Sequence, residues 1–550
     1  MLFVFFRKSS ASWLMNLLNN NQSLMINSSN QDQTIRDKTN RDWAPENLIV
    51  DPFLQLKHLN FPLNPIFEQN EKKISFQSDK SEIFKDPDAL QQIEGVFDQK
   101  IRDSKILEIK RNKLNKLFKL NKIHKSKIIR KEIRAMSPQE LSNYLLAVYK
   151  LHYEGIIDDL SLLHLSCEHY AHNHSRFLPW HRALLLYYEM LLRLMVKDVV
   201  LPYWDWSLDS EDIKNSHIMK IWPISSLNIN ELDSKNDKNF ISLKNLLFEQ
   251  AKLSKTSDST ENNENSKKIK SPKSISESQL NDMADKLSNY IPSLYKMYGC
   301  WNVNTPSSHC LKRSTNFDVL YDTEKIFKMI ERPFDQFASA FETVPHAIVH
   351  LVIGGSNESK EVTPGDMAML YSCNDPIFFL HHAYCDYIWQ TQQQKQLTKA
   401  LKENLESNES FRHSVFEKLE NDSNYDDLNK KLQKTGDSTQ NLIKMIDKLP
   451  IDVIYDLIED ITLNEYTDDP DEVLFPFNMT VKDVWKSNVY YEPYKINYKT
   501  GSKIAPKNHK KKEVKELPES FIKRHRYNKR KVRRMERMVN ERETIWDNLI

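Results

Sequence analysis

The chain has little glycine, few cysteines and almost no excess charge. Its 550 residues include 8 glycines and 5 cysteines, and no two cysteines form a Cys-x-x-Cys pair. This excludes a disulfide-dense scaffold and a cysteine-based zinc module. With 78 basic and 76 acidic residues, the net charge is +2. We therefore expect no strongly charged partner over the whole chain, nucleic acid included.

Long hydrophobic runs are also missing from the sequence. The apolar run at the start, MLFVFF, ends at Arg7. A secretory signal places its charge before the apolar core, and a membrane span needs about 20 apolar residues. We expect no membrane span. Asn-x-Ser/Thr triplets, for example at Asn27 and Asn478, arise by chance in an Asn-rich chain and favour secretion only weakly; the expected location is the secretory pathway.

The composition divides the chain into three parts. Residues 1–127 are rich in Asn, Gln, Lys and Ser and predict a partly disordered N-terminal extension. Residues 128–500 predict one mainly α domain, interrupted at about 225–285 by a polar, low-complexity insertion that we expect to be disordered. Residues 501–550 form a strongly basic C-terminal tail, a pattern that is more often a solvated tail than a binding surface.

Three helices are predicted by their starts and by their apolar spacing. Ser137-Pro138, with Glu140 close behind, is typical of a helix start. The stretch FLPWHRALLLYYEMLLRLMV has Pro179 in its first turn and is apolar nearly all round, so it should lie in the core. A third helix follows the cap-like Asp375-Pro376.

Histidines are concentrated in two groups, separated by more than 160 residues that contain few others. The members of the first group are His152, His164, His169, His172, His174 and His181. The members of the second group are His346, His350, His381 and His382. A single histidine is usually an ordinary surface or core residue. Two such groups within apolar helices, without Cys or carboxylate ligands, predict metal binding.

The spacing within each group indicates which imidazoles can share a metal. His346 and His350 are four residues apart and would lie on one face of a helix. His381 and His382 are adjacent and would point about 100° apart, so one of them completes the site easily. In the first group Pro179 starts a new helix, which lets His172 fold back towards His181. Three neutral imidazoles suit Cu, Zn, Fe or Ni.

Several motifs occur in the order typical of a known superfamily. They are AHNHSRFLPWHR, LPYWDW, PHAIVH, VIGGS and NDPIFFLHHAYCDYIW. Residues 128–495 resemble the tyrosinase, catechol oxidase and molluscan-type haemocyanin superfamily. The residues of the motifs are most similar to those of animal tyrosinases. The resemblance implies a type 3 dicopper site inside a four-helix bundle. It implies that the ligands of the first copper are His152, His172 and His181, and that those of the second are His346, His350 and His382.

The resemblance also implies a function. We expect a copper-dependent phenol oxidase that uses O2 to convert o-diphenols to o-quinones. Whether it also converts monophenols stays open. Its partners would be small phenols or protein tyrosines. Two alternatives stay open: a haemocyanin-like oxygen carrier, or a paralogue that binds metal and does not oxidise. Carriers usually have tandem copies of the domain, whereas this chain has one.

The sequence departs from the family pattern at two places. Many members have a cysteine two residues before the second ligand of the first copper and form a thioether there. Tyr170 occupies that place here, so we predict no thioether. Members that hydroxylate monophenols often have Asn directly after the first ligand of the second copper, where this chain has Ala347. Glu342 could supply the catalytic carboxylate, but monophenol hydroxylation is put in doubt. In similar enzymes an appended segment can also plug the copper pocket, and the tail or the insertion could do so here.

Overall fold

The structure is a computed structural model. It describes residues 127–153, 156–221, 237–257, 275–288, 297–302, 305–309, 311–314, 317–355, 364–436, 438–458, 470–477, 479–485, 489–494 and 514–540. Residues 1–126 of the predicted N-terminal extension and residues 225–236 and 258–274 of the predicted insertion lie outside the described residues.

The described part of the chain is mainly helical, which confirms the predicted fold class. Its α-helices are α1 (Pro138–Tyr153), α2 (Ile156–Ser166), α3 (Glu168–Ala171), α4 (Phe177–Met195), α5 (His217–Ile221), α6 (Asp237–Ser257), α7 (Glu277–Ser288), α8 (Thr323–Met329), α9 (Phe334–Phe341), α10 (Ala347–Gly354), α11 (Ile377–Ser407), α12 (Glu409–Asn421), α13 (Asp426–Thr435), α14 (Thr439–Ile446), α15 (Ile451–Ile458), α16 (Val481–Trp485), α17 (Glu519–Arg524) and α18 (Lys529–Asn540).

Helix α4 lies at the centre of the core, between α1 and α11. Nearly all of its side chains are buried, as its apolar composition predicts. Pro179 stands in its first turn, where the missing N–H of proline costs no hydrogen bond. Helix α1 begins at Pro138, and its start is closed by a reciprocal pair of hydrogen bonds between Ser137 and Glu140. These local signals were correctly interpreted from the sequence.

Helices α9 and α10 are joined by one turn of π-helix, Glu342–His346, which contains Pro345. A proline has no N–H and clashes with the preceding turn of an α-helix, so a wider turn accommodates it. The run Phe334–Gly354 is long and apolar enough to cross a membrane, contrary to the expectation that no such run exists. In its most apolar window of 18 residues, 94% is buried inside the protein, as in a core helix.

Short strands form three two-stranded sheets among the described residues. They are β1 (Ile128–Arg130) with β6 (Val489–Tyr491), β2 (Met297–Asn302) with β3 (Thr305–His309), and β4 (Val473–Leu474) with β5 (Met479–Thr480). The pair of β1 and β6 is parallel. It brings the two ends of the domain, which are more than 350 residues apart in sequence, to one side of α4 and α11.

Both the predicted insertion and the predicted tail contain ordered helices. Helices α6 and α7 pack against α1, and Gln250 of α6 donates hydrogen bonds to the carbonyl oxygens of Ile133 and Met136. In the tail, α17 and α18 bury Phe521 and Val532 against the domain. The tail is therefore not simply solvated: apolar residues in it are covered, and some of its basic residues, such as Arg524 and Arg533, are partly buried and donate hydrogen bonds to backbone oxygens.

Candidate metal centre

The second group of histidines comes together around the π-turn, α10 and α11. The Nε2 atoms of His346 and His350 are 3.1 Å apart, as their four-residue spacing predicts. The Nε2 atom of His382, in the first turns of α11, lies 3.3 Å from that of His350. All three side chains are buried. Their ring nitrogens therefore face one small volume inside the protein.

In the structure the first group is reduced to His164, His172 and His181. Each of them has a ring nitrogen within 4.8 Å of those of the other two. The Nε2 atoms of His164 and His181 are 3.5 Å apart. The prediction that His152 completes this group is corrected by the structure. Helix α1, which carries His152, ends at Tyr153, and the new helix α2 carries His164 into the core instead.

His152 lies in the last turn of α1 and outside both groups. Its Nε2 atom is buried without a hydrogen-bond partner among the described residues, and burial lowers its pKa to about 3. Of the other histidines that the family pattern leaves without a role, His174 is exposed, and the side chain of His169 lies outside the described part of the structure.

Backbone carbonyl oxygens accept hydrogen bonds from the Nδ1 atoms of five of the six candidate ligands, which are His164, His172, His181, His346, His350 and His382. The Nδ1 atoms and the oxygens they face are His164 with Leu370 (2.7 Å), His172 with Glu168 (3.2 Å), His181 with Phe177 (2.8 Å), His346 with Glu342 (3.0 Å) and His350 with Met367 (2.7 Å). A carbonyl oxygen accepts, so each of these Nδ1 atoms carries the ring proton. Each Nε2 atom is thereby left with a free lone pair.

Facing lone pairs at such short range need a cation between them. Since the Nδ1 atoms of His346 and His350 carry the protons, no proton remains to join their Nε2 atoms across 3.1 Å. Imidazole nitrogens bind a metal ion at ~2.0–2.1 Å, and two of them on one ion lie roughly 3 Å apart. The same holds for His164 and His181. The donor set therefore fits one metal ion in each group.

Burial keeps the imidazoles neutral, which is the form that binds metal. It lowers the pKa of His164 to about 4 and that of His350 to about 3. Burial, with the neighbouring imidazoles as a smaller cause, lowers the pKa values of the other members well below the usual range. These other members are His172, His181, His346, His381 and His382.

The two groups share a wall. The rings of His181 and His382 stack with centroids 4.3 Å apart and nearly parallel planes. The ring of Phe177 lies 4.8 Å from His181 and 4.7 Å from His346. The sites are thus adjacent, in a dry and aromatic surround. Two metal ions held here would lie close enough to act on one small molecule.

His381 also lies against the other members of the second group. Its ring stacks on that of His346 at 5.2 Å, and its nitrogens belong to the same group of possible ligand atoms. Both nitrogens are also 3.8 Å from the sulfur of Cys385. His382 lies between the two groups, and its Nδ1 atom has no hydrogen-bond partner among the described residues. Position therefore favours His382 as the third ligand.

Glu342 is a buried carboxyl group beside both sets of histidines. Its Oε1 atom accepts a hydrogen bond of 2.8 Å from the backbone N–H of Asn173, the residue after His172. Asn173 has a φ of 62°, a left-handed conformation that asparagine tolerates better than most residues. Burial raises the pKa of Glu342 to about 8. The carboxyl group is thus fixed by one oxygen.

Two buried aspartates near the histidine groups, Asp205 and Asp386, accept hydrogen bonds from side chains other than imidazoles. Asp386 accepts hydrogen bonds from Arg182 and Tyr491, each at 2.5 Å. Asp205 accepts from the hydroxyl of Ser207. The hydrogen bonds recorded for the ring nitrogens of the candidate ligands go to backbone carbonyl oxygens or to other histidines. Sequence reasoning did not find these partners, because a carbonyl group has no signature in the sequence.

One signal in the sequence could have identified His164. Helix α2, IIDDLSLLHLS, has its histidine among apolar residues, and Leu160 and Leu163 beside it are buried. A histidine in such a helix faces the core. The sequence between the two helices, Glu154-Gly155, has no proline, but its glycine is a common signal for the end of a helix. That signal does not say which helix supplies the ligand, so the choice between His152 and His164 needed the three-dimensional structure.

Comparison with known proteins agrees with this geometry. The family described as the common central domain of tyrosinase matches residues 148–395, which include both histidine groups. The tyrosinase-like protein phomQ1' of Diaporthe leptostromiformis is 27% identical over 289 residues, or 48% of this chain and 64% of the relative. A tyrosinase-like protein of Caenorhabditis elegans is 24% identical over 279 residues, or 50% of this chain and 32% of the relative.

A shorter match is to another tyrosinase. The tyrosinase of Streptomyces glaucescens is 34% identical over 89 residues, which are 15% of this chain and 32% of the relative. The chain spans less than two thirds of the length of these relatives. The helical fold, the two buried histidine groups and the family match lead to one conclusion: residues 148–395 of this chain correspond to the central domain of tyrosinases.

Proposed function

We propose that the protein is a copper-dependent oxidase that uses O2 to convert o-diphenols to o-quinones. The observation that carries the proposal is that the Nε2 lone pairs in each of the two adjacent histidine groups point at one another. The three candidate ligands of each group form a triad. Each triad offers three neutral nitrogens without a thiolate or carboxylate ligand, a set that suits copper. The match of residues 148–395 to the central domain of tyrosinase supports copper in particular.

Six histidines would hold the two copper ions. The first ion would be held by His164, His172 and His181, and the second by His346, His350 and His382. The copper pair, when bound, supplies the redox chemistry by which O2 oxidises a phenol. The protein supplies the rest: carbonyl groups that fix the ring orientations, and a dry aromatic wall that includes Phe177.

In its ionised form Glu342 would act as the proton acceptor for the phenol, and because burial raises its pKa to about 8 this form increases as the pH rises towards 8. It lies beside the site, and the N–H of Asn173 fixes its Oε1 atom, so Oε2 would be the oxygen that accepts the proton. Ala347, which follows His346 and is buried, offers no side-chain hydrogen bond to help orient a water there. We therefore expect o-diphenols to be better substrates than monophenols, whether these are free phenols or protein tyrosines.

Oxygen uptake by the copper-loaded protein tests the proposal. Uptake is measured with a catechol and then with tyrosine, and the zinc-loaded protein is the control because zinc has no redox chemistry. We expect uptake with catechol on copper only. Two bound coppers without uptake from either substrate would favour a haemocyanin-like oxygen carrier. A protein that retains no copper would overturn the proposal.

The variant Ala347→Asn tests the expected preference for diphenols. An amide at this position would restore a hydrogen-bond partner for a water beside Glu342. We expect the ratio of tyrosine to catechol turnover to rise, while the copper content stays at two per chain. An unchanged ratio would show that Ala347 does not limit monophenol hydroxylation.

A further inference from the structure

One short loop orients an imidazole in each histidine group. In this 366–370 loop the carbonyl oxygen of Met367 accepts from Nδ1 of His350, and that of Leu370 accepts from Nδ1 of His164. Both distances are 2.7 Å. Hydrogen-bond partners of this kind fix the tautomer and the ring orientation of a metal-binding histidine. A shift of this loop would therefore disturb both metal sites together.

The loop is pressed against the helix that carries His350. A Cβ atom at Gly354, the last residue of α10, would overlap the backbone nitrogen of Ala368. The N–H of Gly365 also donates to the carbonyl oxygen of Gly354 at 2.7 Å. One side of the loop is thus fixed by α10. Its other side faces the C-terminal segment, residues 514–540.

The C-terminal segment binds the loop at the carbonyl between the two that face histidines. The oxygen of Ala368 accepts from Nη1 of Arg524 at 3.2 Å and from Nε2 of His525 at 3.3 Å. Ala368 is fully buried. A buried carbonyl oxygen needs a partner, and here both recorded side-chain donors come from a distant part of the chain.

The two donors are themselves held in place. The ring of His525 stacks on that of Phe521 with centroids 4.1 Å apart, and Phe521 is buried. The N–H of Leu517 donates to Glu536 at 2.7 Å, and Arg533 donates to the oxygen of Leu517 at 2.8 Å. These bonds join the start of the segment to α18. These contacts within the C-terminal segment therefore fix the positions of Arg524 and His525.

We propose that Arg524 and His525 are positioning residues of the metal centre. They hold the oxygen of Ala368, so the 366–370 loop keeps the carbonyl groups of Met367 and Leu370 directed at His350 and His164. The inference rests on the proposed metal centre. It assigns the C-terminal segment a supporting role in metal binding, in contrast to a plug that blocks the site.

Release of copper(II) to a chelator tests this role in the full chain. We compare Arg524→Ala with Lys523→Ala, which removes the same charge from an exposed neighbour on the same helix. We also compare His525→Ala with His525→Gln, which keeps an N–H donor. Loss of an outer partner of a metal-binding histidine typically weakens binding ~10–100-fold. We expect a change of that size for Arg524→Ala and His525→Ala, and release close to the wild-type rate for the two controls.

Hydrogen exchange in the metal-free protein provides a second measurement that does not depend on copper. Peptides that cover residues 364–376 should exchange faster in Arg524→Ala and His525→Ala than in the controls. Unchanged copper release together with unchanged exchange would overturn the proposal. So would faster phenol oxidation with unchanged copper release, because it would show that the segment covers the site.

These measurements separate this inference from the proposed function. A wild-type protein that binds two coppers and oxidises no phenol would refute the oxidase proposal, while the copper release rates would still test the positioning role. If no copper is bound at all, the exchange of residues 364–376 remains to decide whether Arg524 and His525 hold the loop.

Discussion

At the scale of single residues, His164 and His152 give opposite expectations for copper content. His164 faces His181 at 3.5 Å, whereas His152 lies outside both groups. We expect His164→Ala to lose one of two bound coppers per chain, because two imidazoles remain where three are needed. His152→Ala should keep both. Metal analysis of the purified, folded variants measures this. A loss of copper in His152→Ala alone would restore the sequence-based assignment.

The carboxyl group of Glu342 can be tested against a neighbour of the same type. If Glu342 accepts the proton of the phenol, Glu342→Gln should lower kcat by about 10²-fold or more, the usual contribution of general base catalysis. Copper content should stay at two. Glu168→Gln is the matched control, since Glu168 is also buried but contacts His172 through its backbone oxygen. Equal losses of kcat in both variants would argue against a specific role.

At the scale of elements, the contact between α10 and the 366–370 loop leaves no room for a side chain. Gly354→Ala would place a methyl group on the backbone of Ala368. Because backbone cannot move aside as a flexible side chain can, we expect the free energy of unfolding to fall by ~1–3 kcal/mol or more, together with faster copper release. Denaturant unfolding and chelator competition measure the two effects.

Gly436→Ala is a control for Gly354→Ala. It shows the effect of replacing a glycine where the added methyl group does not overlap other atoms. Gly436 has a φ of 88°, but a Cβ atom there would meet the side-chain nitrogen of Asn441 at 3.7 Å, an ordinary contact distance. With a ψ of 124°, its backbone lies in a region that side chains rarely adopt, so the cost should be the ~1–3 kcal/mol of that backbone conformation alone, without an effect on copper release. Faster release in Gly436→Ala would mean that general destabilisation, and not the loop contact, loosens the metal.

The elements also show what the sequence could predict. The starts of α1 and α4, the pairing of His346 with His350 and the buried character of α4 follow from local rules of capping and spacing. The choice of His164 over His152 does not, because α2 is placed by contacts with distant residues: Ser161 bonds to Asn374, and His164 bonds to Leu370. The carbonyl groups that orient the imidazoles were likewise beyond reach, since any residue type supplies them.

At the scale of the whole molecule, a buried network of charges joins the two ends of the domain. Arg130 of β1 pairs with Glu189 of α4 at 2.7 Å. Asp386 of α11 pairs with Arg182 of α4 at 2.5 Å and accepts from Tyr491 of β6. Arg130 also donates to the hydroxyl of Tyr491. The network connects strands at both ends of the domain to the helices that carry His181 and His382.

This network should be costly to break. Asp386→Asn removes one of two buried negative charges and leaves Arg182 and Arg130 undercompensated, so the free energy of unfolding should fall by ~3–5 kcal/mol. Glu403→Gln is the control, because its pair with Lys399 is exposed and should contribute ~0–1 kcal/mol. Urea unfolding, followed by fluorescence, measures both. The contrary outcome would be a fall in the free energy of unfolding of Asp386→Asn that is as small as that of the control. It would show that hydrogen bonds to the introduced amide replace the charge. The domain would then be closed by the packing of β1 and β6 alone.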